Sequence, residues 1–192
     1  MRIVRAKKGR IVLCNGEPFT GKVDPQPVAV VELVGHTVVD VEKIFRLMKP
    51  DALAVVCPIE AMFSYPRPAW VAAWTGAALV GRKATKWGWN VWQPILLYGQ
   101  DPPAKRKMGW TPDAFFGGGD PLVAKKGDMY PEKPIQWLIR KLCPLGDMTI
   151  GQYRMGSGLV AEICFKMNHR YIGYEPDKKK FEAVVRRLKR CK

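Results

Sequence analysis

The residues best suited to chemistry lie between Met148 and Glu175, in the stretch MTIGQYRMGSGLVAEICFKMNHRYIGYE. A short apolar strand, MTI, leads to glycines at 156 and 158. A helix then runs to about Met167, and a second strand, YIGYE, ends on an acid. Glycines at such a turn let the backbone approach a ligand closely, and the helix start offers unpaired amides. A carboxylate closing the next strand can accept both hydroxyls of a ribose. The arrangement suits a cofactor with a nucleoside part, and it suits equally a tight turn in a sheet protein that binds none.

These residues need a scaffold. The run IVLC at 11–14 reads as a short strand, followed by the turn-rich NGEPFTGK. Over 38–48, Val41, Ile44, Phe45 and Met48 recur at i, i+3, i+4 and i+7, the mark of one helical face. Lys49-Pro50-Asp51 ends that helix, and ALAVVC at 52–57 reads as a fully buried strand of the kind found in parallel sheets. Residues 61–130 are rich in Pro, Gly, Trp and Lys and read as long loops around a sheet edge, with one strand at PILLYG, 94–99. Order returns with a helix that places Pro134 in its first position and Ile135, Leu138, Ile139 and Leu142 on one face. The last helix, from Asp177, puts Phe181, Val184, Val185 and Leu188 inward and leaves Lys178, Lys179, Lys180, Arg186, Arg187, Lys189 and Arg190 on its other faces.

Composition bounds the partners. The chain carries 32 Lys and Arg against 17 Asp and Glu, a net charge of +15, which attracts polyanions and nucleic acid first among them. Cys14, Cys57, Cys143, Cys164 and Cys191 are scattered and never in CxxC spacing, and His36 and His169 are the only histidines, so no metal site is expected. No apolar run is long enough to span a membrane, and the run in MRIVRAKKGRIVLCNGE is too short for a signal peptide. A cytoplasmic protein is the expectation.

In order along the chain stand Lys133-Pro134, Gly146-Asp147, Gly156-Ser157-Gly158, Ile172-Gly173-Tyr174-Glu175 and Arg187-Leu188. This succession resembles the C-terminal half of the permuted DNA amino-methyltransferases, which use S-adenosylmethionine. FRLMKPDALAVVCP and WNVWQPILLYG are similar to two further segments of that family. The resemblance implies a doubly wound, Rossmann-like α/β sheet with circularly permuted motif order. It implies a single domain over 1–192: a catalytic-motif half at 1–60, a loop-rich region at 61–130 able to contact DNA, and a cofactor half at 131–192. It implies S-adenosylmethionine as cofactor, held by Lys133, Pro134, Gln152, Gly156, Ser157, Gly158 and Glu175. The reaction implied is methylation of the exocyclic amine of adenine or cytosine, on a base flipped out of double-stranded DNA. The oligomeric state stays open, a homodimer included.

Three features depart from the family pattern. Where the family has Asp-Pro-Phe, this chain has Gln152, Tyr153 and Arg154. An arginine about 4 Å from a sulfonium would cost roughly 4 kcal/mol at an effective dielectric of about 20, unless it points away or pairs with the cofactor carboxylate. The family's polar-Pro-Pro-aromatic motif is matched best by Asn15-Gly16-Glu17-Pro18-Phe19, which puts Asn15, Pro18 and Phe19 in the catalytic role with Asn15 one position early. Asp101-Pro102-Pro103 is followed by Ala104 and reads as a turn. For DNA contact, Trp87 and Trp89 offer stacking, and Lys83, Lys86, Lys105, Arg106 and Lys107 offer charge. The alternative function is a nucleic-acid-binding protein of the same fold without catalysis.

Overall fold

A computed structural model describes residues 2–6, 10–16, 26–34, 38–75, 84–85, 88–89, 92–99, 114–116, 130–144 and 148–191. In chain order the elements are β1 (Arg2–Ala6), β2 (Ile11–Asn15), β3 (Ala29–Leu33), α1 (Val41–Met48), β4 (Ala52–Val56), β5 (Trp70–Thr75), β6 (Ala84–Thr85), β7 (Gly88–Trp89), β8 (Trp92–Gly99), β9 (Ala114–Phe116), α2 (Glu132–Leu142), β10 (Thr149–Gln152), α3 (Leu159–Lys166), β11 (Arg170–Glu175) and α4 (Lys178–Arg190).

Nine strands form one sheet in the order β1-β2-β11-β10-β3-β4-β8-β5-β9, and β6 pairs with β7 apart from it. The five strands β2, β11, β10, β3 and β4 are mutually parallel. Such strands are covered on both faces, which is why β4 is buried at every position and β2 at four of five. On one face Ile135, Leu138, Ile139, Leu159, Ile163, Phe181, Val184 and Leu188 of α2, α3 and α4 pack on the sheet. On the other, α1 lays down Val41, Ile44 and Met48 beside Val30, Leu53 and Tyr65. Helix starts are capped where the sequence allows it: Asp40 accepts the amide of Lys43, and Asp177 those of Lys179 and Lys180.

Four expectations change. The basic N-terminal arm contains β1, whose five residues pair antiparallel with β2 in register from Arg2↔Asn15 to Ala6↔Ile11. The strand β3, AVVEL, was not anticipated, since the acid Glu32 interrupts its apolar run. Residues 61–130 contain β5 as well as β8, and β8 lies inside the sheet, antiparallel to β4 and β5, rather than at its edge. Pro134 is the third residue of α2, still within the first turn where its missing N–H costs nothing. Among the described residues no helix is long and apolar enough to cross a membrane, and no cluster of potential metal ligands occurs.

Candidate cofactor site

From β10 the chain passes through α3 to β11 on one side, and from β3 through α1 to β4 on the other. The connections diverge between β10 and β3, so no helix closes over the carboxyl ends of these strands. In doubly wound sheets ligands bind at this crevice.

The turn after β10 is built from two glycines with different duties. Gly156 is exposed at φ +54°, and a Cβ placed there would meet nothing within 4 Å. Gly158 is buried at φ +81°, and its Cβ would lie 2.9 Å from Cγ1 of Val184 on α4. The first keeps backbone open to whatever enters the crevice. The second lets α3 start in close contact with α4. Gly158 donates to the Met155 carbonyl (2.9 Å) and Met155 to the Tyr174 carbonyl (3.0 Å), pinning the turn to β11. Gly158 caps α3 without a side chain, leaving the first amides of that helix for solvent or a ligand. From α4, Arg187 reaches the Ser157 carbonyl (3.3 Å) and pairs with Glu162 of α3 (2.5 Å).

Glu175 closes β11 and is buried beside this turn. Its Oε2 accepts the Gly156 amide (3.1 Å) and its Oε1 the Asp177 amide (3.1 Å). An ionised carboxylate has about four acceptor positions, so both oxygens retain capacity for hydroxyl donors. The Glu175 carbonyl in turn accepts the Gly16 amide (3.0 Å) and Nδ2 of Asn15 (2.9 Å).

Sequence reasoning missed Glu32. It is 1 % exposed, on β3, and its carboxylate accepts the main-chain amides of Tyr153 and, at 3.4 Å, Arg154. Burial pushes its carboxyl up to about 8, against the opposing effect of those two amides and of the Arg154 charge. The strand end that carries no acid of its own is therefore met by an acid from the adjacent strand. Arg154 itself is exposed. The available signal was a lone acid in an otherwise apolar run, AVVELV.

The other expected site residues distribute unevenly. Gly156, Ser157, Gly158 and Glu175 come together. Gln152 is 2 % exposed and accepts the Tyr171 hydroxyl (2.8 Å), so its amide carbonyl serves the packing between β10 and β11. Lys133 is exposed and Pro134 buried at the start of α2. That start is tied by the Tyr130 hydroxyl to the carbonyls of Val34 (2.5 Å) and Val56 (3.4 Å), and by Glu132 to Lys166 (3.0 Å), the last residue of α3. Asn15 ends β2, which lies beyond β11, so it flanks Glu175 rather than the crevice between β10 and β3. Pro18, Phe19, Lys83, Lys86, Trp87, Lys105, Arg106 and Lys107 lie outside the described residues, as does Gly146-Asp147. Trp89 is placed by its backbone in β7.

Parallel strands diverging at β10/β3, a glycine turn into α3 and an acid closing β11 define a doubly wound, Rossmann-like α/β fold. The chain shares it with solved structures: M1.HpyAVI in complex with SAM, at 14% identity over 86% of this chain and 90% of that one, TM-score 0.62; PvuII DNA methyltransferase, cytosine-N4-specific, at 11% identity over 95% and 89%, TM-score 0.56; and TTHA0409, a putative DNA modification methylase from Thermus thermophilus complexed with S-adenosyl-L-methionine, at 12% identity over 93% of each chain, TM-score 0.57. No protein-family model matches the chain, and no curated protein does.

Proposed function

We propose that this protein transfers the methyl group of S-adenosylmethionine to the exocyclic amine of adenine or cytosine in DNA. The observation that carries the reading is the pairing of Glu175, buried at the end of β11, with the open backbone of Gly156 one hydrogen bond away. In this reading Glu175 accepts the ribose hydroxyls, while Gly156, Ser157 and the first amides of α3 face the methionine part. Ser157 is held in place by Arg187. The cofactor supplies an electrophilic methyl on a sulfonium. The chain must orient the amine and accept its protons. Asn15 keeps its Oδ1 as an acceptor because its Nδ2 is spent on the Glu175 carbonyl. With Pro18 and Phe19 it is proposed to hold the base from the β11 side, across Glu175 and away from the β10/β3 crevice, and Lys133 and Pro134 are proposed at the methionine end. Arg154 is exposed and forms no ion pair among the described residues, and in this reading it pairs with the cofactor carboxylate.

The test is calorimetric titration with S-adenosylmethionine, followed by transfer of labelled methyl to duplex DNA. Glu175→Gln is the informative variant: it keeps the size of the side chain while removing the charge. Glu175→Ala would also strip the Gly156 and Asp177 amides of their acceptor. Heat and label that are present in the wild type and lost in Glu175→Gln are expected. No heat at millimolar cofactor refutes the reading.

The second reading, a nucleic-acid-binding protein without catalysis, is favoured by one observation. Glu32, the acid on the β3 side of the crevice, is buried and committed to two main-chain amides. DNA binding retained without any cofactor heat would decide for it.

A further inference from the structure

The outward face of α4 carries cations at both ends, those of its first turn against the preference of the helix dipole. Lys178, Lys179 and Lys180 occupy its first turn, at the positive end of the helix dipole, with the capping Asp177 as the one acid beside them. Arg186 and Arg190 stand at i and i+4, and Arg186 and Lys189 at i and i+3, so like charges are neighbours on the helix surface. All six side chains are exposed, and among the described residues none forms an ion pair. The contrast with Arg187 on the same helix is direct, since it is paired with Glu162. The apolar residues Phe181, Val184 and Leu188 are buried against the sheet, which leaves this helix no apolar face for a bilayer. Glu182 is the one acid within the helix, so the cations of this face outnumber the acids beside them.

We infer that this face of α4 is a phosphate-binding surface that anchors the DNA backbone beside the cofactor edge. The inference rests on the DNA reading above and names a part of the surface which that reading leaves open. A helix of this length spans about 20 Å, enough to follow several phosphates of a duplex. Its first turn follows Glu175 closely, so the three lysines stand at the same sheet edge as the Gly156 turn, and the remaining cations run down the flank. The contacts are to phosphate and carry no sequence preference.

The experiment measures binding of the full chain to a duplex of arbitrary sequence over a range of salt. Lys179→Gln, Arg186→Gln and Arg190→Gln are combined in one variant. A charge-matched control combines Arg10→Gln, Arg46→Gln and Arg170→Gln, exposed cations elsewhere on the surface. Three lost phosphate contacts lower the slope of log K against log salt by about 2.7, so the loss of affinity between about 50 and 200 mM salt shrinks by roughly 40-fold. The α4 variant is expected to show this and the control is not. Because repulsion is relieved, the α4 variant should melt no lower than the wild type, which separates lost contact from lost fold. Equal slopes for the two variants overturn the inference, as does an α4 variant that binds DNA normally but no longer binds phosphatidylserine vesicles. A wild type that takes no S-adenosylmethionine, yet depends on α4 for DNA, removes the methyl-transfer reading and leaves this one standing. One that binds the cofactor and is indifferent to the α4 changes does the reverse.

Discussion

Alanine at Gly158 and alanine at Gly156, one residue apart on the same turn, should do opposite things. At Gly158 a side chain must adopt φ +81°, which costs roughly 1–2 kcal/mol, and its Cβ must sit 2.9 Å from Val184 Cγ1 and 3.2 Å from Cγ2. Val184 is β-branched and fully buried, so it cannot swing aside, and overpacking adds about 1–3 kcal/mol. The sum, about 2–5 kcal/mol, lowers Tm by about 4–20 °C in a chain of this size. At Gly156 the backbone strain is similar, but the methyl meets no atom within 4 Å, so the loss stays near 1–2 kcal/mol. Under the proposed function the new methyl instead intrudes on the cofactor. Urea unfolding gives the stabilities and titration with S-adenosylmethionine the affinities. Gly158→Ala should lose mainly stability and Gly156→Ala mainly affinity. A cycle with Val184→Ala should return a coupling of about 1–3 kcal/mol for Gly158→Ala and none for Gly156→Ala. Equal destabilisation by both alanines, with no coupling to Val184, would refute the division of labour argued for the turn.

Three further outcomes follow from buried groups. Glu32 has its folded carboxyl raised from 4.5 to about 8 by burial, so its contribution to stability is full below pH 4.5 and lost as pH rises through 8. Glu32→Gln lacks that loss, and its stability relative to wild type should climb by up to about 5 kcal/mol between those pH values; parallel pH curves would exclude it. For Glu162, burial alone would raise the carboxyl, but hydrogen bonds from Lys166 and Arg187 pull it down to about 2. Its contribution is present above pH 4.5 and fades as pH falls through 2. Glu162→Gln should therefore cost roughly 1.5–3 kcal/mol at neutral pH and little near pH 2, read by denaturant titration at each pH. Tyr130→Phe removes the hydroxyl that ties the entry of α2 to Val34 and Val56, and a loss of about 1–2 kcal/mol in urea unfolding is expected. An unchanged midpoint would show that the tie carries no net energy.

The βαβ unit from Met148 to Glu175 was legible because each of its signals is local. An apolar run, two glycines, a helical period and a terminal acid follow one another, and β10, α3 and β11 occupy nearly the positions expected. The helix faces of α1, α2 and α4 were legible for the same reason. Strand β3 was not. A buried acid at its fourth residue defeats any reading by hydrophobic run, and what tolerates that acid is the pair of amides presented just after β10, more than a hundred residues away in the chain. The place of Asn15 was hidden likewise, because strand order is a property of the sheet and no local pattern states it.

Composition and spacing by themselves determined an α/β chain with a glycine turn before a helix, an acid after it and a large excess of positive charge. Tertiary structure decided what those residues do. Of two similar glycines, one faces open space and the other α4. Glu175 is tied to the turn by two main-chain amides, and Glu32 brings a buried acid from β3 to the strand end that has none. Of the cations on α4, Arg187 is consumed by Glu162 and Ser157, while the exposed cations beside it form no ion pair among the described residues. The physical reason is common to all of these: a side chain's chemistry depends on the atoms within a few ångströms of it, and most of those come from elsewhere in the chain.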